Sequence, residues 1–337
     1  MRIRTSWLVL ATMLALAPAP RLLAQDAESS ADYRTNRLDA AHHRVAASQL
    51  LVAASTSACL YNQKSVNSFF GTAPQQTTTQ ACTGARLGVE YGIFNWLLVT
   101  ASESYLLDGS MRTSTPTTTG PSLDVSGLSN PTFGVNGRYI GGLSGTFFGS
   151  AYAFYMPDLG TARTADSGQS GNNYSGHTAL ALGNNLYWVR RGQEFHWEVF
   201  ASRFGASRHL ASTPSGNWGT DSYLRFGTTF DYQAHVSANL YLNIGATLIL
   251  PYTLRYTMTV NPGGLGPQSA RQTAAYPVSI SPKFEIGWRV LDQLLFYANI
   301  NAASVTRDTT TVTSTMSQYL NSTTTSVTAQ LGALTEF

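Results

Sequence analysis

The chain is poor in charged residues and in cysteine, and after its first residues it has no long apolar run. Only 12% of its 337 residues are charged, against about 25% in ordinary globular domains. Beyond residue 24, no window approaches the eighteen or so apolar residues that a transmembrane helix needs. This excludes an α-helical membrane protein. The two cysteines offer too few ligands for a metal site, so no metal or other cofactor is expected.

The first 24 residues have the pattern of a secretory signal peptide. Arg2 and Arg4 precede an apolar run from Trp7 to Ala17, and small residues follow up to Ala24. Without the three arginines of this leader, 21 Lys+Arg become 18 against 18 Asp+Glu. A neutral chain argues against nucleic acid as a partner. Export also predicts a disulfide between Cys59 and Cys82, because an oxidising compartment pairs cysteines.

Period-two alternation of apolar and polar residues dominates the rest of the chain. Val327, Ala329 and Leu331 share one face of the last predicted strand, and Gln330 lies on the opposite face. The same pattern occurs in 193–199, 221–232 and 276–290. An apolar face toward lipid and a polar face toward a lumen produce this alternation in a transmembrane β-barrel.

The number, length and spacing of the predicted strands favour such a barrel over a soluble sandwich. About twelve strands are predicted between 44 and 337, most at or above the nine to eleven residues that cross a bilayer. Short connections alternate with long ones at 57–83, 108–130, 157–176, 205–220, 257–275 and 306–324. Thr- and Ser-rich tracts in these long segments are predicted to be solvated or mobile loops.

We therefore predict an all-β fold, an antiparallel up-and-down β-barrel of the bacterial outer membrane with both termini in the periplasm. Residues 1–24 are the signal peptide, 25–43 a polar lead-in, and 44–337 the barrel. The expected partners are outer-membrane lipid, a small-molecule solute, and the barrel-insertion machinery, which the terminal Phe337 would contact.

Charged residues within the predicted strands share the polar face and are expected to line the lumen. They are Arg86, Glu90, Arg138, Glu198, Arg225, Asp231, Lys283, Glu285 and Arg289. These charges of both signs predict either a passage for small solutes or a salt-bridge network that fills a narrow lumen. The first interpretation gives a passive channel, and the second a structural or surface-recognition barrel.

A hydrolase in the barrel wall is a weaker hypothesis, and we do not expect an enzyme. The chain has six histidines: His42, His43, His177, His196, His209 and His235. His177 and His209 lie near predicted long loops, with Ser175, Ser207 and Asp166 close in sequence. No recognised catalytic signature surrounds them.

Residues 126–142, SGLSNPTFGVNGRYIGG, resemble a motif of the outer-membrane proteins named for the meta-pathway of phenol degradation. In that family a Gly-Leu/Ile-Gly-Asp turn leads into a strand. Gly127 and Arg138 match, and Asn130 stands where the family has Asp. The resemblance implies a barrel that passes hydrophobic or aromatic small molecules. For this chain it implies that Gly127 and Asn130 form a strand-entry turn and that Arg138 carries a lumenal charge.

Overall fold

The computed structural model describes the chain from residue 48 to its end, apart from short gaps. The described ranges are 48–67, 75–94, 96–115, 117, 119–140, 147–163, 171–190, 193–210, 217–237, 239–260, 268–291, 293–312 and 317–337. The predicted signal peptide and lead-in lie outside these residues, as do His42 and His43. Among the described residues, no helix is long and apolar enough to cross a membrane.

The described residues form strands that pair into one sheet. In chain order they are β1 (Leu50–Asn67), β2 (Gln75–Phe94), β3 (Leu97–Ser114), β4 (Thr119–Leu128), β5 (Thr132–Ile140), β6 (Phe147–Met156), β7 (Ala162–Arg163), β8 (Gly171–Asn172), β9 (Ala179–Arg190), β10 (Gln193–Phe204), β11 (Ser207–Leu210), β12 (Trp218–Thr220), β13 (Tyr223–Ser237), β14 (Leu240–Ile249), β15 (Tyr252–Val260), β16 (Gln268–Tyr276), β17 (Ser279–Leu291), β18 (Leu294–Val312) and β19 (Ser317–Glu336).

Twelve of these strands form a closed wall. Its order is β1, β2, β3, β5, β6, β9, β10, β13, β14, β17, β18 and β19, and each strand is antiparallel to the next. The sheet closes where β19 pairs with β1, from Leu51 opposite Glu336 to Asn67 opposite Leu320. The predicted twelve-stranded antiparallel barrel is therefore confirmed.

The alternation of the sequence separates an apolar outer face from a polar inner one. On β10, for example, Phe195, Trp197 and Val199 are exposed, while His196 and Glu198 between them are buried. Exposed apolar side chains recur around the barrel and form an apolar belt. They include Leu87, Tyr91, Phe133, Val135, Tyr155, Leu182, Trp188, Leu224, Phe226, Phe230, Ile244, Ile280, Phe284, Ile286, Trp288, Phe296, Ile300, Val327 and Leu331. Such a belt suits contact with hydrocarbon.

The two ends of the barrel differ. At the turn end, β2–β3, β13–β14 and β17–β18 are each joined by two residues, and the last residue, Phe337, pairs with Leu50 through two backbone hydrogen bonds. At the opposite, long-hairpin end, short strands extend the wall. There β4 continues β5, β8 pairs in parallel with β4, β7 with β11, and β12 joins β11 to β15.

Much of the predicted long-loop sequence is therefore strand. β1 ends at Asn67 and β2 begins at Gln75, so both extend into the predicted loop 57–83. β18 and β19 stay paired along their length, from Leu294 opposite Thr335 to Val312 opposite Ser317. Within the described residues, the Thr-rich tract of the last hairpin continues as paired strand as far as Val312 and again from Ser317, because strand pairing satisfies its backbone groups beyond the apolar belt. Residues 240–260 form two strands rather than one, since β14 ends at Ile249 and β15 begins at Tyr252.

Candidate functional site

The inner face of the barrel carries the residues from which a lumen would be built. All nine charged residues that the sequence assigned to the lumen lie on this face, at the alternate positions that point away from the apolar belt. Six of them are nearly fully buried: Arg86, Glu90, Glu198, Arg225, Asp231 and Glu285. Arg138, Lys283 and Arg289 are half-buried as whole residues. The interior is therefore polar and narrow.

An ionic cluster crosses four strands at mid-height. His196 on β10 lies opposite Asp231 on β13, and the His196 Nδ1 atom is 2.9 Å from Asp231 Oδ2. Lys283 on β17 places its Nζ atom 3.0 Å from Asp231 Oδ1. The intervening residue on β14 is Gly245, which pairs with both Asp231 and Lys283. Because Gly245 has no side chain, the carboxylate and the ammonium meet across it.

The cluster continues toward β6 on one side. His196 Nε2 is 2.9 Å from Asn185 Oδ1 on β9, and Asn185 Nδ2 donates to Ser150 Oγ on β6 at 3.4 Å. The ring of Tyr187 stacks on that of His196 with 4.8 Å between centroids. These contacts fix the imidazole between two strands.

A second polar chain crosses the other half of the wall. The Tyr241 hydroxyl on β14 donates to Glu285 on β17 at 2.5 Å. Asn299 on β18 donates to Gln330 Oε1 at 2.9 Å, and Gln330 on β19 donates to Ser55 Oγ on β1 at 2.7 Å. Lys283 and Glu285 lie two residues apart on one face of β17, so the two chains adjoin there.

Aromatic rings lie flat against the inner wall over glycines of the neighbouring strand. In each of five directly opposed pairs, a Cβ atom on the glycine would overlap the ring. The pairs are Tyr152–Gly183, Phe154–Gly134, Phe200–Gly227, Tyr241–Gly287 and Tyr297–Gly332. A ring held against the wall takes up less of the barrel interior than one that points toward the axis. It also covers the backbone that glycine leaves open.

At the turn end, an apolar cluster narrows the lumen on one side. Leu51, Ala53, Tyr241, Leu295 and Leu334 pack together from β1, β14, β18 and β19. All five are almost completely buried. Any path for a solute must pass beside this cluster.

Glu194 is an inner-face charge that the sequence analysis omitted. It is 3% exposed and shares its face with His196 and Glu198. The signal was present, since Glu194 is four residues before Glu198 and has the same parity.

Glu103 shows where the separation of the two faces fails. It lies on the outer face of β3, on the same side as Tyr105. Glu103 Oε1 accepts hydrogen bonds from the Ser104 backbone N–H at 3.0 Å and from Ser129 Oγ at 3.3 Å. Ser129 belongs to the break between β4 and β5, so the carboxylate is hydrogen-bonded where the wall is irregular.

The residues matched to the family motif shape that break. Gly127 has a φ of +116°, a conformation that side chains rarely adopt. Asn130 is 2% exposed, and its Nδ2 atom donates to Ser175 Oγ at 3.0 Å and to Asp158 Oδ1 at 3.4 Å. Arg138 lies apart from them, on the inner face of β5.

The histidines of the hydrolase hypothesis come together at the long-hairpin end without forming a triad. The Ser175 hydroxyl donates to the His177 carbonyl at 3.2 Å, and Ser207 Oγ pairs with Thr220 Oγ1 at 2.8 Å. The His209 ring stacks on Trp218 at 3.7 Å. The hydroxyls of Ser175 and Ser207 therefore bond to a backbone carbonyl and to a threonine hydroxyl. Asp166 lies outside the described residues.

The disulfide joins two neighbouring strands rather than pinning a loop. Cys59 on β1 is directly opposite Cys82 on β2, and their Cα atoms are 5.1 Å apart. The bonded pair faces inward and packs beside Leu106, Leu123 and Val125. The predicted pairing of the two cysteines is confirmed. Their predicted place in a loop is wrong.

A closed barrel of twelve antiparallel strands, apolar outside and polar inside, is a transmembrane β-barrel of the bacterial outer-membrane type. No protein-family model matches the chain, and no curated protein matches it.

Several solved structures resemble this chain over most of its length. An outer membrane channel from Pseudomonas putida F1 has a TM-score of 0.44 at 10% identity, covering 85% of this chain and 96% of that one. The outer membrane protease OmpT from Escherichia coli has a TM-score of 0.44 at 9% identity, covering 86% and 97%. A FadL homologue from Pseudomonas aeruginosa has a TM-score of 0.40 at 10% identity, covering 86% and 90%.

Proposed function

We propose that this barrel is a passive outer-membrane channel for small solutes, with both termini on the periplasmic side. The observation that carries the proposal is the inner lining. Charges of both signs are fixed to the wall by one another and by amides, and aromatic rings lie flat over glycines. Charged linings of this kind set ion preference and orient polar solutes in channels.

The same lining suits a solute that is partly apolar. Tyr152, Phe154 and Phe200 pack together on one side of the lumen, and the ionic cluster of His196, Asp231 and Lys283 lies nearby. A solute with an aromatic ring and a polar group could contact both surfaces. The resemblance to the phenol-degradation barrels, which implies hydrophobic or aromatic solutes, agrees with this choice.

A sealed barrel that serves as a structural or recognition element is the second candidate. It is favoured by the depth of burial, since Glu90 and Asn185 are each 1% exposed and the apolar cluster narrows the turn end. A lumen this narrow passes a solute only if its side chains move.

Conductance of the refolded protein in a planar bilayer separates the two candidates. A channel gives discrete current steps. In a salt gradient, Lys283→Gln shifts the reversal potential toward that of a cation-selective pore, because one lumenal positive charge is lost. Asp231→Asn shifts the reversal potential toward that of an anion-selective pore. Lys64→Gln, which changes an exposed charge on the outer face of β1, is the matched control and leaves ion preference unchanged. Absence of steps above background in the wild type would establish the sealed barrel.

A further inference from the structure

Five arginines form a band on the outer face of the barrel at the long-hairpin end. They are Arg163, Arg203, Arg208, Arg255 and Arg271, and each is exposed. Among the described residues, none of the five is held in an ion pair. Asp221 is the exposed carboxylate described on β10 to β16 and the segments between them. Asp158, five residues before Arg163, is exposed as well, so the five arginines of the outer arginine band stand against two exposed carboxylates and the surface is positive.

The pairing of neighbouring strands places these arginines close to one another. Arg208 on β11 pairs with Gly219 on β12, Gly219 with Thr257 on β15, and Thr257 with Arg271 on β16. These residues make one row across the outer face. Arg255 lies two residues from Thr257 on the same face, diagonal to Arg271. Diagonal neighbours of this kind have Cα atoms about 7–8 Å apart.

Arg203 joins the band to the apolar belt. It pairs with Leu224 on β13 and with Leu180 on β9, which are both exposed. The Asp221 backbone N–H donates to the Arg255 carbonyl, so Arg255 lies near Asp221, three residues beyond Leu224. At about 3.3 Å per residue, the band begins at the edge of the belt and extends roughly 10 Å above it. Lipid phosphates lie at this depth when the belt is in hydrocarbon.

A groove in the apolar belt lies in the same row as Arg203. It has a volume of about 560 Å³, and Phe133, Tyr155 and Leu180 are among the residues that line it. Phe133 pairs with Tyr155, Tyr155 with Leu180, and Leu180 with Arg203. The small side chains Ala101 and Ala153 also line it. An apolar groove therefore leads directly to a guanidinium group.

We propose that this surface binds phosphate-bearing lipid of the surrounding leaflet, with an acyl chain in the groove and phosphate oxygens on the outer arginine band. Guanidinium groups bind phosphate oxygens in bidentate geometry, and exposed basic residues attract anionic headgroups. The surface is continuous with the belt that contacts lipid, and its charge complements a phosphate. A multiply phosphorylated lipid such as lipid A could contact several arginines at once.

Native mass spectrometry of the refolded barrel in a neutral detergent tests the proposal, with lipid A as the probe. The triple variant Arg203→Gln, Arg255→Gln, Arg271→Gln binds lipid A about 100-fold more weakly, at about fivefold per arginine. The control variant Lys64→Gln, Arg112→Gln removes two exposed cations elsewhere at the same end and stays within about twofold of wild type. Binding of diacylglycerol, which has acyl chains but no phosphate, is the same for all three proteins.

Two further measurements distinguish binding of a lipid from binding of free inorganic phosphate. Ala153→Leu fills the groove and weakens lipid A binding without removing a charge, and inorganic phosphate at millimolar concentration does not displace the lipid. Equal binding by the triple variant and wild type would overturn the proposal, as would equal losses in the control. If the triple variant does not fold, Arg203→Gln alone replaces it. All these side chains face outward, so the outcome does not depend on conductance through the lumen.

Discussion

Single glycines decide how the interior is filled. At Gly287 the opposed Tyr241 ring lies against the backbone, and the Tyr241 hydroxyl still reaches Glu285. A side chain at Gly287 would push the ring toward the axis. It would also displace Tyr241 from the apolar cluster with Leu51 and Leu295. One residue without a Cβ atom thus sets both the width of the lumen and the packing at the turn end.

Replacing this glycine should therefore cost stability. We expect Gly287→Val to lower the free energy of unfolding by about 2 kcal/mol, because overpacking costs typically 1–3 kcal/mol. Urea titration of the barrel in lipid vesicles measures it. Gly137→Val is the matched control, since the nearest atom to an added Cβ there is the Ala151 carbonyl oxygen at 3.9 Å. Gly287→Val should cost less stability in a Tyr241→Ala background than in wild type, because the ring that it would overlap is gone, and equal midpoints for both valine variants would refute the steric argument.

His209 is a residue whose burial makes stability depend on pH. It lies on β11 beyond the apolar belt, and burial, together with His177, lowers its pKa to about 4 from 6.5. The unfolded chain then binds a proton at a higher pH than the folded barrel. The stability that neutral His209 contributes is complete above pH 6.5 and declines as the pH falls toward 4.

The pH dependence of unfolding in wild type and in His209→Gln tests this. Between pH 6.5 and 4.5 the wild type should lose more stability than the variant, by at most about 3 kcal/mol. Parallel curves for the two proteins would mean that His209 titrates at its ordinary pKa in the folded state.

At the scale of the element, the long hairpins continue as strands because their backbone groups pair with each other. β18 and β19 are rich in threonine, a residue that favours strands, and their outer faces change from apolar to polar where they leave the belt. Ile300 and Val327 lie within the belt, whereas Thr306 and Thr323 pair above it. The two strands therefore continue past the edge of the apolar belt instead of ending there.

The disulfide acts on one such hairpin. We expect the Cys59→Ser, Cys82→Ser variant to keep the register of β1 and β2, since backbone pairing continues on both sides of the bond. Its free energy of unfolding should be lower by about 3 kcal/mol, because a bond between residues 23 apart limits the unfolded chain. Urea midpoints with and without reductant measure this, and the variant itself should not respond to reductant. An unchanged midpoint after reduction of the wild type would contradict the expectation.

For the whole molecule, closure and orientation are separate properties. Pairing of β19 with β1 leaves no free strand edge, which permits a monomer within a bilayer. Orientation follows from our proposal that short turns face the periplasm and long hairpins face outward. Lys64 and Asn239 lie at opposite ends of the barrel and are both exposed.

Cysteine labelling in intact cells tests the orientation. Lys64→Cys should react with a membrane-impermeant maleimide in whole cells, whereas Asn239→Cys, at the turn between β13 and β14, should react only after permeabilisation. The native cysteines are bonded to each other, so the wild type is the unlabelled control. Labelling with the opposite preference would reverse the proposed orientation and leave the fold unchanged.

The alternation of side chains determined the all-β class and which side chains face each way, because period two is a local property of a single strand. It placed Arg86, Asp231 and Lys283 on the inner face without knowledge of any partner strand. Register is different, since it depends on strands that are far apart in the chain. Only the tertiary structure decided that Lys283 reaches Asp231 across Gly245, that rings cover glycines, and that five outer arginines adjoin an apolar groove. Each of these depends on which residues of separate strands lie opposite one another.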